Sequence, residues 1–276
     1  GSMEAYGDEK ARLFTWPDLQ LAVINRDDEF GRQLLSKSTA KQIIDFSVFD
    51  SRAKVYAEDV SCDIRGIRAR LRSVWGDLTI NSSLLGGFNL SNLIAASTVL
   101  LGLGVSAKKI ESALPLLKPV PGRMECLRSE DGVLAVVDYA HTPDALQKVL
   151  EVLRPIAQGK VYCVMGCGGD RDKSKRPMMG EIAEQCADRV WVTNDNPRTE
   201  TAEAIIADIC SGMRGQPTIE LERDRAIHAA IQAANPGDVV LVAGKGHEDY
   251  QEIAGRRLPF SDVQCARLAL AARVTS

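Results

Sequence analysis

From residue 133 onward the chain reads as apolar runs of about five residues separated by helical stretches. Each apolar run stops abruptly at a glycine-rich or charged motif. Strands this short, alternating with helices, leave few options. Parallel strands cannot be joined by tight turns, so the intervening helices must cross the sheet and cover its faces. The predicted elements are a strand over 133–138, a helix over 143–153, strands over 161–165 and 189–193, and a helix over 178–186 between them. Helices over 202–213 and 225–234, a strand over 238–243 and a helix over 262–273 follow. The expected fold class is α/β, a doubly wound Rossmann-like sheet, in which ligands bind outside the carboxyl ends of the strands.

The first part of the chain is less regular. Residues 21–25 form an apolar strand closed by Asn25-Arg26-Asp27-Asp28, and residues 42–80 hold β-branched and aromatic segments broken by Gly66, Gly76 and Asp77. That stretch is expected to be a small antiparallel meander. A helix is predicted from about 90 to 103, with Asn89 and Asn92 three residues apart on one face at its start. Leu114-Pro115 and Pro119-Val120-Pro121-Gly122 mark a domain boundary.

At 276 residues, 45% of them hydrophobic, the chain has material for two cores. Its 34 basic and 37 acidic residues leave a net charge of −3, so neither nucleic acid nor an anionic membrane is an expected partner. Seven irregularly spaced cysteines give no disulfide framework and point to a reducing, cytoplasmic setting. Cys163 and Cys167 read as small buried residues rather than metal ligands. No apolar stretch reaches the ~20 residues needed to span a bilayer. Gly1-Ser2-Met3 is expected to be a scar of tag cleavage.

The strand ends carry the chemistry. After the first come Asp138-Tyr139-Ala140-His141-Thr142-Pro143-Asp144, where Thr142 caps a helix, Pro143 takes its first position and Asp144 complements its dipole. Asp138 and His141 are left without a structural reason. After the second strand, Gly166-Cys167-Gly168-Gly169 is followed by residues 170–176, with four basic and two acidic side chains. The glycines permit close backbone approach, and the arginine suits an anion; a solvated charged loop is the plainer reading. The third strand ends in Asp195-Asn196-Pro197-Arg198 and the fourth in Gly244-Lys245-Gly246-His247-Glu248, both also ordinary turn sequences. If the fold brings them to one crevice, Arg171 and Arg198 can grip a carboxylate while Asp195 and Glu248 hold an ammonium, the requirements of a zwitterion. Chance clustering is the competing explanation.

These motifs, in this order, resemble the C-terminal domain of the Mur ligase family, and within it the ligases that add meso-diaminopimelate to UDP-N-acetylmuramoyl-L-alanyl-D-glutamate in peptidoglycan synthesis. The resemblance runs upstream through Pro121-Gly122-Arg123-Met124-Glu125 and Leu85-Gly86-Gly87-Phe88-Asn89-Leu90-Ser91-Asn92 to Lys10. It implies a pocket for meso-diaminopimelate built from Arg171, Asp195, Asn196, Pro197, Arg198, Gly244 and Glu248. It also implies nucleotide contacts from Asn89, Asn92, Arg123, Asp138 and His141, with Asp138 at the ribose, and a carbamylated, magnesium-binding lysine at Lys10. ATP and Mg2+ are the implied cofactors, and an acyl phosphate the implied intermediate. The small-molecule partners would be meso-diaminopimelate, ATP and the UDP-linked dipeptide. Arg198 matters most for specificity, because lysine, lacking the second carboxylate, would leave it unpaired.

The family also has a Walker A loop, and no Gly-x-x-x-x-Gly-Lys-Ser/Thr occurs in these residues. Residues 4–119 are therefore expected to be the incomplete second part of a central P-loop-type ATPase domain. Residues 120–276 are expected to be a C-terminal amino-acid-binding domain, and the chain alone is expected to lack ligase activity. A non-catalytic α/β ligand-binding module is one alternative. A related ligase of the folylpolyglutamate type, adding a different amino acid, is another.

Overall fold

The computed structural model describes residues 3–273; of the expected tag scar, Gly1 and Ser2 lie outside the described residues. The chain divides into two units, one ending at Lys118 and the other beginning at Pro119, each with its own sheet.

The first unit opens with α1 (Met3–Ala11) and a short 3-10 turn. Then come β1 (Leu21–Asn25), α2 (Glu29–Lys37), β2 (Gln42–Ser47), β3 (Val55–Asp63), β4 (Gly66–Ser73), β5 (Leu78–Ser82), α3 (Gly87–Gly102) and α4 (Ala107–Ala113). Its five strands lie in sequence order, β1-β2-β3-β4-β5. The predicted meander is correct only for its later part. β3, β4 and β5 are antiparallel, whereas β2 runs parallel to β1 and to β3. The reason is α2, whose crossover carries the chain back to start β2 in the direction of β1. Asp28 caps α2 by accepting from the Gly31 amide.

The core of this unit places Ile44, Phe46, Val55, Ile67, Leu71 and Ile80 of the sheet with Leu90, Leu93, Ile94 and Leu101 of α3. Gly102 is what lets α3 close on the sheet. A Cβ there would come within 2.8 Å of Ile44 Cδ1 and 2.9 Å of Leu21 Cδ2.

The second unit contains β6 (Glu125–Arg128), β7 (Leu134–Asp138), α5 (Pro143–Leu153), β8 (Val161–Met165), α6 (Lys175–Cys186), β9 (Arg189–Val192), α7 (Ala202–Cys210), β10 (Thr218–Ile219), α8 (Arg223–Ala233) and β11 (Val239–Ala243). The hairpin β12 (Tyr250–Ile253) and β13 (Arg256–Pro259) and then α9 (Asp262–Arg273) follow. The main sheet has the order β10-β9-β8-β11-β7-β6, parallel except for β6 at one edge. β7, β8 and β11 are buried at every residue, as central parallel strands covered on both faces must be. α5, α6 and α7 pack in one layer and α8 with α9 in another. Ala226, Ile227, Ala230 and Ile231 of α8 meet Ala266, Ala269 and Leu270 of α9 over Val137, Val164, Val240 and Val242.

The chain leaves β7 for β8, β9 and β10, then returns through α8 to insert β11 between β8 and β7. Loops leaving β8 and β11 therefore depart toward helices in different layers, which opens a crevice at their carboxyl ends. Thr142 caps α5 as expected, its hydroxyl accepting from the Ala145 amide at 3.3 Å. No helix among the described residues is long and apolar enough to cross a membrane.

Arg223, at the start of α8, and Asp262, at the start of α9, are fully buried and paired, with Nε to Oδ1 and Nη2 to Oδ2 both at 2.7 Å. Burial would pull the Arg223 guanidinium down, but the charge and hydrogen bonds of Asp262 outweigh it and hold the group above its ordinary value. Arg223 also donates to the carbonyls of Asn194 and Ala243, at the ends of β9 and β11. Asp262→Ala would strand that charge in the core. It is expected to cost about 3–5 kcal/mol in urea unfolding of the second unit. The paired replacement Arg223→Met with Asp262→Leu removes both charges and should lose less than Asp262→Ala, with the two carbonyls left short of a donor.

Candidate functional site

A cleft of about 390 Å³ lies at the carboxyl ends of β7, β8, β9 and β11. Six of the seven residues expected in an amino-acid pocket, Arg171, Asp195, Asn196, Arg198, Gly244 and Glu248, line it, joined by Tyr139, His141, Thr142, Lys175 and Tyr250. Pro197 is buried behind the wall, and its carbonyl lies where a Cβ on Gly169 would be, 1.9 Å away. Gly169 is thus fixed as glycine by the packing of one loop on the other, which draws the loop of Arg171 toward that of Arg198.

The loops are held by side chains from below. Arg176, fully buried in the first turn of α6, donates to Glu200 at 3.0 and 2.8 Å, to Asp208 at 2.8 Å and to the Gly168 carbonyl at 3.3 Å. Glu200 also pairs with Lys173 at 2.9 Å and accepts from the Asp170 amide at 2.7 Å. These bonds, those of Arg176 first, hold its carboxyl well below the usual carboxylate range. Asp170 and Arg198 both adopt left-handed backbone conformations, at φ 54°. Asp170 is braced by Thr199, whose hydroxyl donates to it at 2.6 Å.

Arg198 is braced by β12. Its amide donates to the Glu252 carbonyl and its own carbonyl accepts from the Ala254 amide. Its guanidinium donates to the Gly169 carbonyl at 2.7 Å and sits 3.6 Å from the Glu252 carboxylate. The β12–β13 hairpin, absent from the sequence reading, is therefore part of the site's support. Its signal was the polar, charged run after Tyr250, which carries no hydrophobic alternation strong enough to mark a strand.

Asp195 has an unusual environment. It is 9% exposed, its backbone carbonyl accepts from Gln251, and the buried Oδ1 of its carboxylate accepts no hydrogen bond among the described residues. What it has is charge, from the Lys245 ammonium 3.2 Å from Oδ1. Glu248 receives a hydrogen bond from the Asn196 amide at 2.9 Å. Gly244, at φ 118°, keeps the space beside Asp195 clear, since a Cβ would sit 3.6 Å from Oδ2.

The residues expected to contact a nucleotide are distributed differently. His141 is exposed in the wall of the same cleft, with Nδ1 2.8 Å from the Tyr139 carbonyl, and Lys175 Nζ donates to the His141 carbonyl. Arg123 is exposed over the Tyr139 ring, 5.0 Å from its centroid. Asp138 is 6% exposed and accepts from the Met124 amide at 2.9 Å, with the Ala140 amide also bonded to it. Burial raises its pKa against those bonds. Asp138 thus has a structural task, fastening the loop before β6, that the sequence did not show.

In the first unit, Asn89 and Asn92 lie in the first turns of α3. Asn89 donates to the Leu85 carbonyl and Asn92 is exposed. Lys10 is exposed on α1, 5.3 Å from the Tyr6 ring. Cys163 and Cys167 are buried, and burial pushes both thiols up to about 12. Among the described residues no group of three His, Cys, Asp or Glu could hold a metal ion.

Comparison with known proteins agrees with the sequence resemblance. A model of the Mur ligase middle domain matches residues 1–100, and one of the Mur ligase glutamate ligase domain matches residues 122–246. The chain is 51% identical over 274 residues to a UDP-N-acetylmuramoyl-L-alanyl-D-glutamate–2,6-diaminopimelate ligase of Pseudomonas syringae pv. tomato. The match covers 99% of this chain and 56% of that protein. A solved structure of a ligase of the same name is 40% identical with a TM-score of 0.76, covering 99% of this chain and 57% of the other. The MurF ligase of Thermotoga maritima, solved in complex with ADP, shares the fold at 20% identity and a TM-score of 0.66, covering all of this chain and 58% of its own. The chain thus spans a little over half the length of the proteins it matches.

The Glu200 cluster generates a pH prediction. A carboxyl whose folded pKa is depressed stabilises the fold above its ordinary value of 4.5, and that stability is lost as the pH falls toward the folded value. The difference in Tm between the parent protein and Glu200→Gln should therefore be full near pH 7 and shrink steadily below pH 4.5. Melting curves from pH 7 to pH 3 test this, and a constant difference contradicts the assignment.

Proposed function

The chain belongs to the Mur ligase family, and we propose that its second unit is the amino-acid site of a ligase that joins meso-diaminopimelate to a carboxylate of a UDP-linked peptide. The observation that carries this reading is Asp195. Its carboxylate lines the cleft, with the buried Oδ1 held by the charge of Lys245 3.2 Å away and accepting no hydrogen bond, so the cleft suits a ligand that supplies a hydrogen-bond donor to it. An ammonium does, and Glu248 lines the same cleft to share it. Arg171 and Arg198 in that cleft suit the carboxylate on the same carbon. An ammonium beside a carboxylate is what the far end of meso-diaminopimelate presents, whereas the far end of lysine presents an ammonium alone. The names of the relatives, which specify 2,6-diaminopimelate, support the same choice over the folylpolyglutamate alternative.

Arg123, exposed over Tyr139, is proposed to meet an anionic part of ATP, and His141 to stand between nucleotide and amino acid. Asn89 and Asn92 at the start of α3 are proposed as further nucleotide contacts. Asp138 is proposed at the ribose, with the Met124 and Ala140 amides already using part of the hydrogen-bonding capacity of its carboxylate. ATP, when bound, supplies the phosphoryl group that activates the carboxylate to be joined. The described residues do not make a magnesium site: Lys10 is exposed and no metal-binding cluster accompanies it. No Walker A motif occurs in the sequence, so binding rather than ligation is the property proposed for these 276 residues alone.

Calorimetry tests the reading directly. The chain is expected to bind meso-diaminopimelate more tightly than lysine, and Arg198→Ala should reduce affinity for diaminopimelate at least tenfold, the loss of a charge-assisted bond of about 1.5–3 kcal/mol. Equal affinity for the two ligands, or no effect of Arg198→Ala, overturns it.

A further inference from the structure

Lys245 is fully buried, yet its ammonium lies under the cleft among four groups of the site. It donates to Asn196 Oδ1 at 2.7 Å, to the Tyr250 carbonyl at 2.9 Å and to Glu248 Oε2 at 3.4 Å. Asp195 Oδ1 stands 3.2 Å from the same ammonium in an ion pair whose geometry makes no hydrogen bond, so one buried cation serves both acids of the cleft. Asn196 is locked by the same contact: its Oδ1 also accepts from the Glu252 amide, and its Nδ2 donates to Glu248.

The sequence around Lys245 is built to turn it inward. Gly244 and Gly246 both have positive φ, 118° and 53°. A Cβ on Gly246 would fall 2.7 Å from the Gly122 carbonyl and 2.8 Å from Tyr139 Cβ. The loop is wedged against the end of β7, and the side chain between its two glycines goes beneath the floor.

We propose that Lys245 is a positioning residue that sets the charge preference of the cleft. It never reaches the ligand. It cancels one of the two negative charges of Asp195 and Glu248, so the acidic side of the cleft is matched to a single ammonium accompanied by a carboxylate. Without it the two acids would carry an uncompensated pair of charges and favour the more cationic ligand. Lysine has net charge +1 and diaminopimelate net charge zero, so the balance between them reports on Lys245. The inference rests on the amino-acid reading of the cleft.

The test is the ratio of affinities for meso-diaminopimelate and lysine, measured by calorimetry on the whole chain with circular dichroism as the fold control. Lys245→Gln, which removes the charge and keeps two donors, is expected to lower the ratio at least fivefold. Adding Glu248→Gln to it restores the electrical balance and is expected to bring the ratio back to within about twofold of the parent. If Lys245→Gln alone does not fold, the balanced double variant against Glu248→Gln gives the same comparison, with Glu248→Gln showing the higher ratio. A parent protein that prefers neither ligand overturns the pocket reading and this inference together. A parent that prefers diaminopimelate, with the ratio unmoved by charge removal, overturns this inference alone.

Discussion

The buried pair of Arg223 and Asp262 joins the two helices of one layer to the sheet, because the guanidinium has donors left over after meeting the carboxylate. Those donors reach the carbonyl of Ala243, the last residue of β11, and that of Asn194, two residues past the end of β9. β9 and β11 are not adjacent; β8 lies between them. One side chain therefore fixes two strand ends across a third, and the residues that follow, Asp195 and Gly244, inherit their positions from it. A dry ion pair is weak evidence for stability as such. Its value here is geometric, since a fork of fixed N–H directions defines where both carbonyls must be.

The same device recurs. The three largest fully buried side chains of the described structure are cations, Arg176, Arg223 and Lys245. Each lies beneath a strand-end loop and spends its hydrogens on backbone carbonyls as well as on acids. A loop that lines a cleft cannot be held by a hydrophobic core on both sides, because one side must face ligand and water. Directional bonds from below supply the rigidity that packing cannot, at the cost of desolvating three charges. Glycines supply the complement: Gly169 and Gly246 let the loops approach one another at distances a Cβ would forbid.

This division explains what could be read from the chain and what could not. The alternation of strands and helices after residue 133 was legible because burial on both faces forces short, unbroken apolar runs, and β8, α5 and α9 begin and end where the pattern placed them. The residues of the cleft were legible because they follow strands directly. The direction of β2 was not, since an apolar run looks the same in a parallel or antiparallel pair. Nor were the buried cations. Arg176 read as one more charge in a solvated loop and Lys245 as part of a turn, because Glu200 and Asp208 lie 24 and 32 residues from the first and Asn196, at 2.7 Å the nearest partner of the second, lies 49 away in sequence; Arg223 and Asp262 are 39 residues apart. Pairings across the fold leave no period in the sequence, and composition counts a buried arginine as a surface one.

The cleft side chains are not equal in their structural duties, and that inequality bears on how such a site could change its ligand. Asn196 and Arg198 each carry backbone or loop contacts in addition to facing the cleft: Asn196 accepts from the Glu252 amide, and Arg198 holds the Gly169 carbonyl. Replacing either disturbs the scaffold along with the recognition. Arg171 is exposed and its one hydrogen bond goes to the adjacent Asp170 carbonyl, so it is free to be exchanged. A cleft of this design would find it easier to alter the reach of its arginine from β8 than to remove the arginine from β9, whose left-handed backbone, β12 clasp and guanidinium bond form one unit. On the proposed reading of the cleft, discrimination between amino acids that differ by a carboxylate would fall on Arg198, the residue least able to vary alone, which would tie specificity to the integrity of the fold around it.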